Sequence, residues 1–180
     1  AGQVGIALAG AGVNAVNRIA GSTVAGIFGD NSDISAGSIS IKATNTSRID
    51  AVAAAVAITF AAGMVGVAVS IAATEALNDI TSVVKAQISR VPGDGGMGSV
   101  YSTGTVTVLA DDQASIRAIA AAAAVAISGG MVGVSIAGAG VGARNAIGTQ
   151  VLAEVDGMSV GAVGDVQVRA SSTGLIDATI

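Results

Sequence analysis

Between Ala51 and Phe60 the chain alternates with period two: Ala51, Ala53, Ala55, Ala57 and Thr59 on one phase, Val52, Ala54, Val56, Ile58 and Phe60 on the other. After Ala61-Ala62-Gly63 the alternation resumes, with Val65, Val67, Val69 and Ile71 set against Gly66, Ala68, Ser70 and Ala72. Val132, Val134 and Ile136 stand against Gly133, Ser135 and Ala137 in the same way. A strand sends successive side chains to opposite faces, so the pattern puts large residues on one face and small ones on the other; a helix would scatter both kinds around its circumference. Residues 51–74 and 118–143 carry no charge and are each long enough for a membrane-spanning helix. Two close-packed Ala/Gly-rich membrane helices are therefore the alternative reading. Alternation favours strands, and each internal Gly weakens a helix by about 1 kcal/mol. The breaks at Gly63 and at Ser128-Gly129-Gly130 predict hairpin turns, because glycine reaches positive φ without steric penalty. Shorter strands are predicted around residues 84–88 and 106–110.

The same order of elements recurs. Met64-Val65-Gly66-Val67 returns as Met131-Val132-Gly133-Val134, and Val4-Gly5-Ile6 occupies the same place in an earlier copy. An Asn follows 13 residues after the Val in each copy: Asn17, Asn78 and Asn145. A second block reads Ile39-Ser40-Ile41-Lys42-Ala43, Val106-Thr107-Val108-Leu109-Ala110 and Val166-Gln167-Val168-Arg169-Ala170, and leads to Ile49, Ile116 and Ile176. The repeat is about 60 to 67 residues long. The expected fold is all-β, with long hairpins stacked in a solenoid-like rod. Residues 1–51 form a partial first repeat without its first arm, 52–118 a second, and 119–180 a third plus the start of the next hairpin, all within one continuous elongated domain. Because neither hairpin face is polar, both are expected to be covered by neighbouring copies. The recurring Asn has two readings: a turn residue tolerant of left-handed φ, or a ladder of side-chain amides between copies.

Composition narrows the chemistry. The chain is 52% hydrophobic but only 11% charged and 2% aromatic, which excludes disorder. It has no His and no Cys, so the usual zinc sites, Ser-His and Cys-His nucleophile pairs and disulfides are ruled out. A net charge of −4 with eight unclustered Lys and Arg excludes a nucleic-acid footprint. No aromatic platform exists for sugars or bases, and no cofactor or small-molecule substrate is expected.

The remaining motifs are weak. Gly93-Asp94-Gly95-Gly96-Met97-Gly98 matches G-x-G-x-x-G, but a β pattern follows it where a phosphate-binding helix is required. Asp30-Asn31-Ser32-Asp33 and Asp111-Asp112 supply oxygen ligands without calcium-loop spacing, so solvated carboxylates are expected. Asp50, Arg117 and Asp177 share one repeat position, where opposite charges from stacked copies would meet. Asn45-Thr46-Ser47 is a formal glycosylation sequon.

The repeated order of S-x-I-x-A, an Ala/Val-rich run, a Gly break, M-V-G-V, an Asn-x-Ile and a final V-x-V-x-A resembles tandem repeats of giant bacterial surface proteins. The leukotoxin-type filamentous adhesins are the nearer likeness and filamentous haemagglutinin-like exoproteins the more distant one. The resemblance implies a secreted, extracellular β-rich stalk or filament for adhesion or biofilm matrix, with no catalytic residues. Its expected partners are further copies of itself and a host or neighbouring cell surface. Gln3 enters a second hairpin arm and Ile176–Ile180 begin a first one, so strand addition between molecules would make a head-to-tail polymer.

Overall fold

In the computed structural model, which describes residues 3–29, 33–91 and 98–180, every regular element is a β-strand. The first copy contributes β1 (Val4–Gly29), β2 (Asp33–Ala36), β3 (Ile39–Asn45) and β4 (Arg48–Ala62). The second contributes β5 (Val65–Arg90), β6 (Ser99–Ser102), β7 (Val106–Asp112) and β8 (Ser115–Gly129). The third contributes β9 (Val132–Asp156), β10 (Ser159–Ala162), β11 (Val166–Ser172) and β12 (Leu175–Thr179). Both uncharged stretches are strands, which removes the reading of two membrane helices.

Each strand pairs in parallel with its equivalents in the neighbouring copies, in the orders β1-β5-β9, β2-β6-β10, β3-β7-β11 and β4-β8-β12. The register sets like on like: Val4, Val65 and Val132 align, as do Ile49, Ile116 and Ile176. The result is a solenoid-like coil in which the four sheets run side by side and remain open. Parallel pairing suits a repeat because each apolar position meets its own counterpart, and the crossover between paired strands is the rest of the copy.

The chain does turn back at Gly63, but the two arms form no backbone ladder with each other. β4 bonds to β8, and β5 bonds to β1 and β9, so the arms face each other through their side chains. Hydroxyls pin the facing layers: Thr59 Oγ1 donates to the Val69 carbonyl at 2.9 Å, and Ser70 Oγ to that of Ala57 at 2.8 Å. Nor is there a break before residues 84–88. They belong to β5, whose inward side chains stay in phase from Gly66 through Asn78 and Ile80 to Ile88. Asn17, Asn78 and Asn145 therefore lie within long strands, and the turn reading of these residues falls.

The coil has two parts. Its wide part has a conventional aliphatic core of Ile39, Ile41, Val84, Ile88, Val100, Val106 and Val108, with Met158 at its margin. Next comes the isoleucine layer: Ile49 and Ile116 pack with Ile80, flanked by Ile19 and Ile147. Above that the coil narrows to two facing layers whose interior is almost entirely alanine: Ala53, Ala76 and Ala120, then Ala55, Ala57 and Ala72. In this narrow part the large residues point outward. Val52 is 75% exposed and Phe60 67%, whereas Ala53 and Ala55 are 2% and 3% exposed. The sequence led us to expect both faces covered by stacking. The copies instead stack edge to edge along the hydrogen-bonding direction, which covers edges and leaves the outer faces open.

Candidate functional site

The described residues form no cluster of three or more potential metal ligands, and the side chains that recur are organised as ladders running from copy to copy. The asparagine ladder sits on the inner face of β1, β5 and β9. Asn17 Nδ2 donates to Asn78 Oδ1 at 2.8 Å, and Asn78 Nδ2 donates to Asn145 Oδ1 at 2.8 Å. Asn78 is buried, so each of these bonds satisfies a polar group that would otherwise cost about 1–3 kcal/mol. A single side chain type that both donates and accepts can repeat this contact in every copy, which is why an amide suits the position. The Ile49, Ile116 and Ile176 column lies in register on the neighbouring sheet.

A second ladder closes the wide part. Asn45, Asp112 and Ser172 are in register, and Asp112 is fully buried between the other two. Asn45 Nδ2 donates to Asp112 Oδ1 at 2.6 Å, and Ser172 Oγ donates to Asp112 Oδ2 at 3.3 Å. Asp112 is thus an acceptor between two donors and not a solvated loop carboxylate, which corrects the expectation. Asn45 Oδ1 also accepts from Ser47 Oγ at 2.8 Å, so the amide of the sequon is engaged on both atoms. Asp33, the one described member of its acidic loop, accepts from Ser99 Oγ at 2.5 Å. Asp30, Asn31 and Ser32, and the glycine-rich motif up to Met97, lie outside the described residues.

Charges gather where the coil begins to narrow. Arg48 holds Asp50 by two bonds, from Nε at 2.6 Å and Nη2 at 2.8 Å. Asp50, Arg117 and Asp177 are aligned, with Arg117 and Asp177 4.0 Å apart. The Arg48 hydrogen bond holds the Asp50 carboxyl below its ordinary 3.8 against an opposing desolvation, with lesser help from the positive charges of Arg48 and Arg117. The same bond raises the Arg48 guanidinium. On the other face Arg18 lies 3.4 Å from Asp79. These pairs are exposed, and such contacts contribute little to stability.

At the narrow end, Gly63, Gly129 and Gly130 form the tip turns. Gly130 has φ 147°, and a Cβ there would strike the Gly63 carbonyl. The turn backbone is itself tied between copies: Gly63 N–H donates to the Gly129 carbonyl at 3.2 Å and Val132 N–H to that of Met64 at 3.2 Å. Gly5, Gly66 and Gly133 share one register position just past the tip. A Cβ on Gly66 would lie 2.9 Å from the Gly129 carbonyl oxygen. That close approach explains the glycine of the recurrent Met-Val-Gly-Val; the repetition was visible in the sequence, but its cause needs the opposite layer.

The chain matches no family model, no curated protein and no solved structure in the comparisons with known proteins.

Proposed function

We propose that the chain is a non-catalytic structural segment of a secreted, repetitive cell-surface protein, which builds an extracellular filament or wall for adhesion or matrix by adding strands edge to edge. The observation that supports this most strongly is the pair of matched open edges: β1 to β4 along one side and β9 to β12 along the other, in the same register as the pairing inside. The edge of β9 to β12 carries the groups that the edge of β1 to β4 accepts, so another copy is the natural partner on either side, whether it comes from the same chain or another. Repeating that heterologous contact gives an open assembly.

The dimensions favour a wall over a spacer. A strand of 26 residues such as β5 spans roughly 85 Å, whereas each added copy lengthens the stack by only about 4.8 Å. Reach is therefore a weak rationale for the repeat, and surface area is a strong one. Adhesion to a host or neighbouring cell then depends on what that surface presents, with no small-molecule substrate involved. The test is electron microscopy and fibre diffraction of the purified chain at rising concentration. Filaments with an axial strand repeat near 4.8 Å are expected, and a strictly monomeric species in concentrated sedimentation runs would overturn assembly.

A further inference from the structure

The narrow part of the coil exposes apolar side chains on both outer faces and at its tip. One face carries Val52, Val56, Ile58 and Phe60 with Ile119, Val125 and Ile127 in register, all exposed. The opposite face carries Ile6, Leu8 and Ile71 with Val134 and Ile136. Met131, at the tip, is 85% exposed. We propose that this narrow part is a lipid-inserting blade, which enters the hydrocarbon of a bilayer from one side while the wide part stays in water.

Four observations favour lipid over a second copy. The first is depth. Thr74 donates across the layers to the Ala121 carbonyl, and Ala121 aligns with Ala54, so Glu75 lies opposite about residue 53. From there to the tip each layer has about ten residues, or roughly 33 Å at 3.3 Å per residue, against a hydrocarbon thickness of about 30 Å. The second is the charge boundary. Charged residues begin on both faces at nearly the same level, with Glu75, Asp79 and Arg144 on one and Asp50 and Arg117 on the other, and none lies between there and the tip. A partner protein seated on one face would impose no such limit on the opposite face.

The third is area. Within one chain, three strands at about 4.8 Å spacing and about 33 Å in height offer roughly 480 Å² on the β1-β5-β9 face, and the two strands β4 and β8 roughly 320 Å² on the other. Pairing two single chains through their larger faces buries at most about 950 Å², below the roughly 1,200 Å² of a specific interface, and still leaves the outer faces and tips wet. The fourth is backbone satisfaction. Hydrocarbon tolerates only backbone whose polar groups are paired. Here the ladders continue through the tip turn, so only the two outermost edges of a stack carry free groups. Insertion is therefore coupled to stacking: the longer the stack, the smaller the share of unpaired backbone.

The test uses the 180-residue chain and vesicles of zwitterionic phosphatidylcholine, so that charge attraction does not contribute. The chain has no Trp, and single Val52→Trp and Ile58→Trp variants place reporters on exposed outer positions at the boundary and near mid-depth. The blade predicts co-flotation with vesicles, strong quenching of the Ile58→Trp reporter by lipids brominated deep in the acyl chain, and quenching of the Val52→Trp reporter mainly by shallow bromines. Ile58→Lys, with the β circular dichroism spectrum retained, is expected to lower the bound fraction by about thirty-fold or more, from the cost of a Lys at the bilayer centre. Absence of flotation overturns the proposal, as does equal shallow quenching of both reporters. Self-association without vesicles that hides both reporters from an aqueous quencher overturns it too, and assigns the faces to a second copy. Edge-to-edge assembly, read separately by electron microscopy without lipid, stands or falls independently of these outcomes.

Discussion

Glycine, asparagine and aspartate set the fine geometry of this coil, each for a separate physical reason. At Gly66 the two layers of the blade approach closely, and a larger side chain there meets backbone on the opposite layer. Gly66→Val is therefore expected to lower stability by about 1–3 kcal/mol, the usual cost of overpacking, as read by thermal or denaturant unfolding. Asn78 donates to one neighbour and accepts from the other. Asn78→Leu leaves both partner amides unpaired and is expected to cost about 1–3 kcal/mol in the same measurement. For Asp50 the effect depends on pH. Its folded carboxyl titrates below the ordinary 3.8, so the contact with Arg48 stabilises above that value and is lost as pH falls through the lower, folded value. Asp50→Asn should thus be less stable than the parent at neutral pH, with the difference disappearing below about pH 4, in acid-unfolding curves. At this scale the recurrence of Asn17, Asn78 and Asn145 was legible in the sequence, because identical positions in stacked copies meet. The burial of Asp112 was not, since it depends on Asn45 and Ser172 arriving from other copies to donate to it.

Strand character was readable from alternation alone, and the continuity of β5 was concealed by its polar residues. Asn78 admitted a turn reading, yet Ser70, Thr74 and Asn78 each occupy an inward position of one strand and find a partner there. Which face of the narrow strands points inward was also hidden, because hydrophobicity argues for burying the valines. Packing reverses this. Two sheets lined with alanine approach closely and hold each other with hydroxyl bonds, whereas Val56 and Ile58, if turned inward, would hold them apart. An unusual substitution pattern follows. Ala55→Val, which adds hydrophobic volume, is expected to destabilise by about 1–3 kcal/mol. Val56→Thr, which removes hydrophobicity from an exposed position, is expected to change stability by no more than about 0.5 kcal/mol. Denaturant unfolding of the two variants side by side gives the comparison, and the reverse order of effects would place the valines inside.

At the scale of the molecule, the repeat produces a coil that is tall along its strands and thin along its stack. That shape connects the two functional readings. In the proposed assembly, copies accumulate along the open matched edges, and accumulation extends the wide, hydrogen-bonded base and the apolar blade together. All of it rests on parallel, in-register pairing between copies, with the two arms joined at Gly63 facing each other and sharing no backbone ladder. The chain contains no Cys, so paired cysteines report on this arrangement without background. Val52 and Ile119 are register partners on adjacent strands, where a separation near 4.8 Å suits a disulfide. Val56 and Ile71 lie on opposite outer faces, with both layers between them. Under mild oxidation, the Val52→Cys/Ile119→Cys variant should close an intramolecular disulfide in nearly every molecule, and the Val56→Cys/Ile71→Cys variant should close none. Efficient closure of the second pair with failure of the first would mean hydrogen-bonded hairpins, and would contradict the coil.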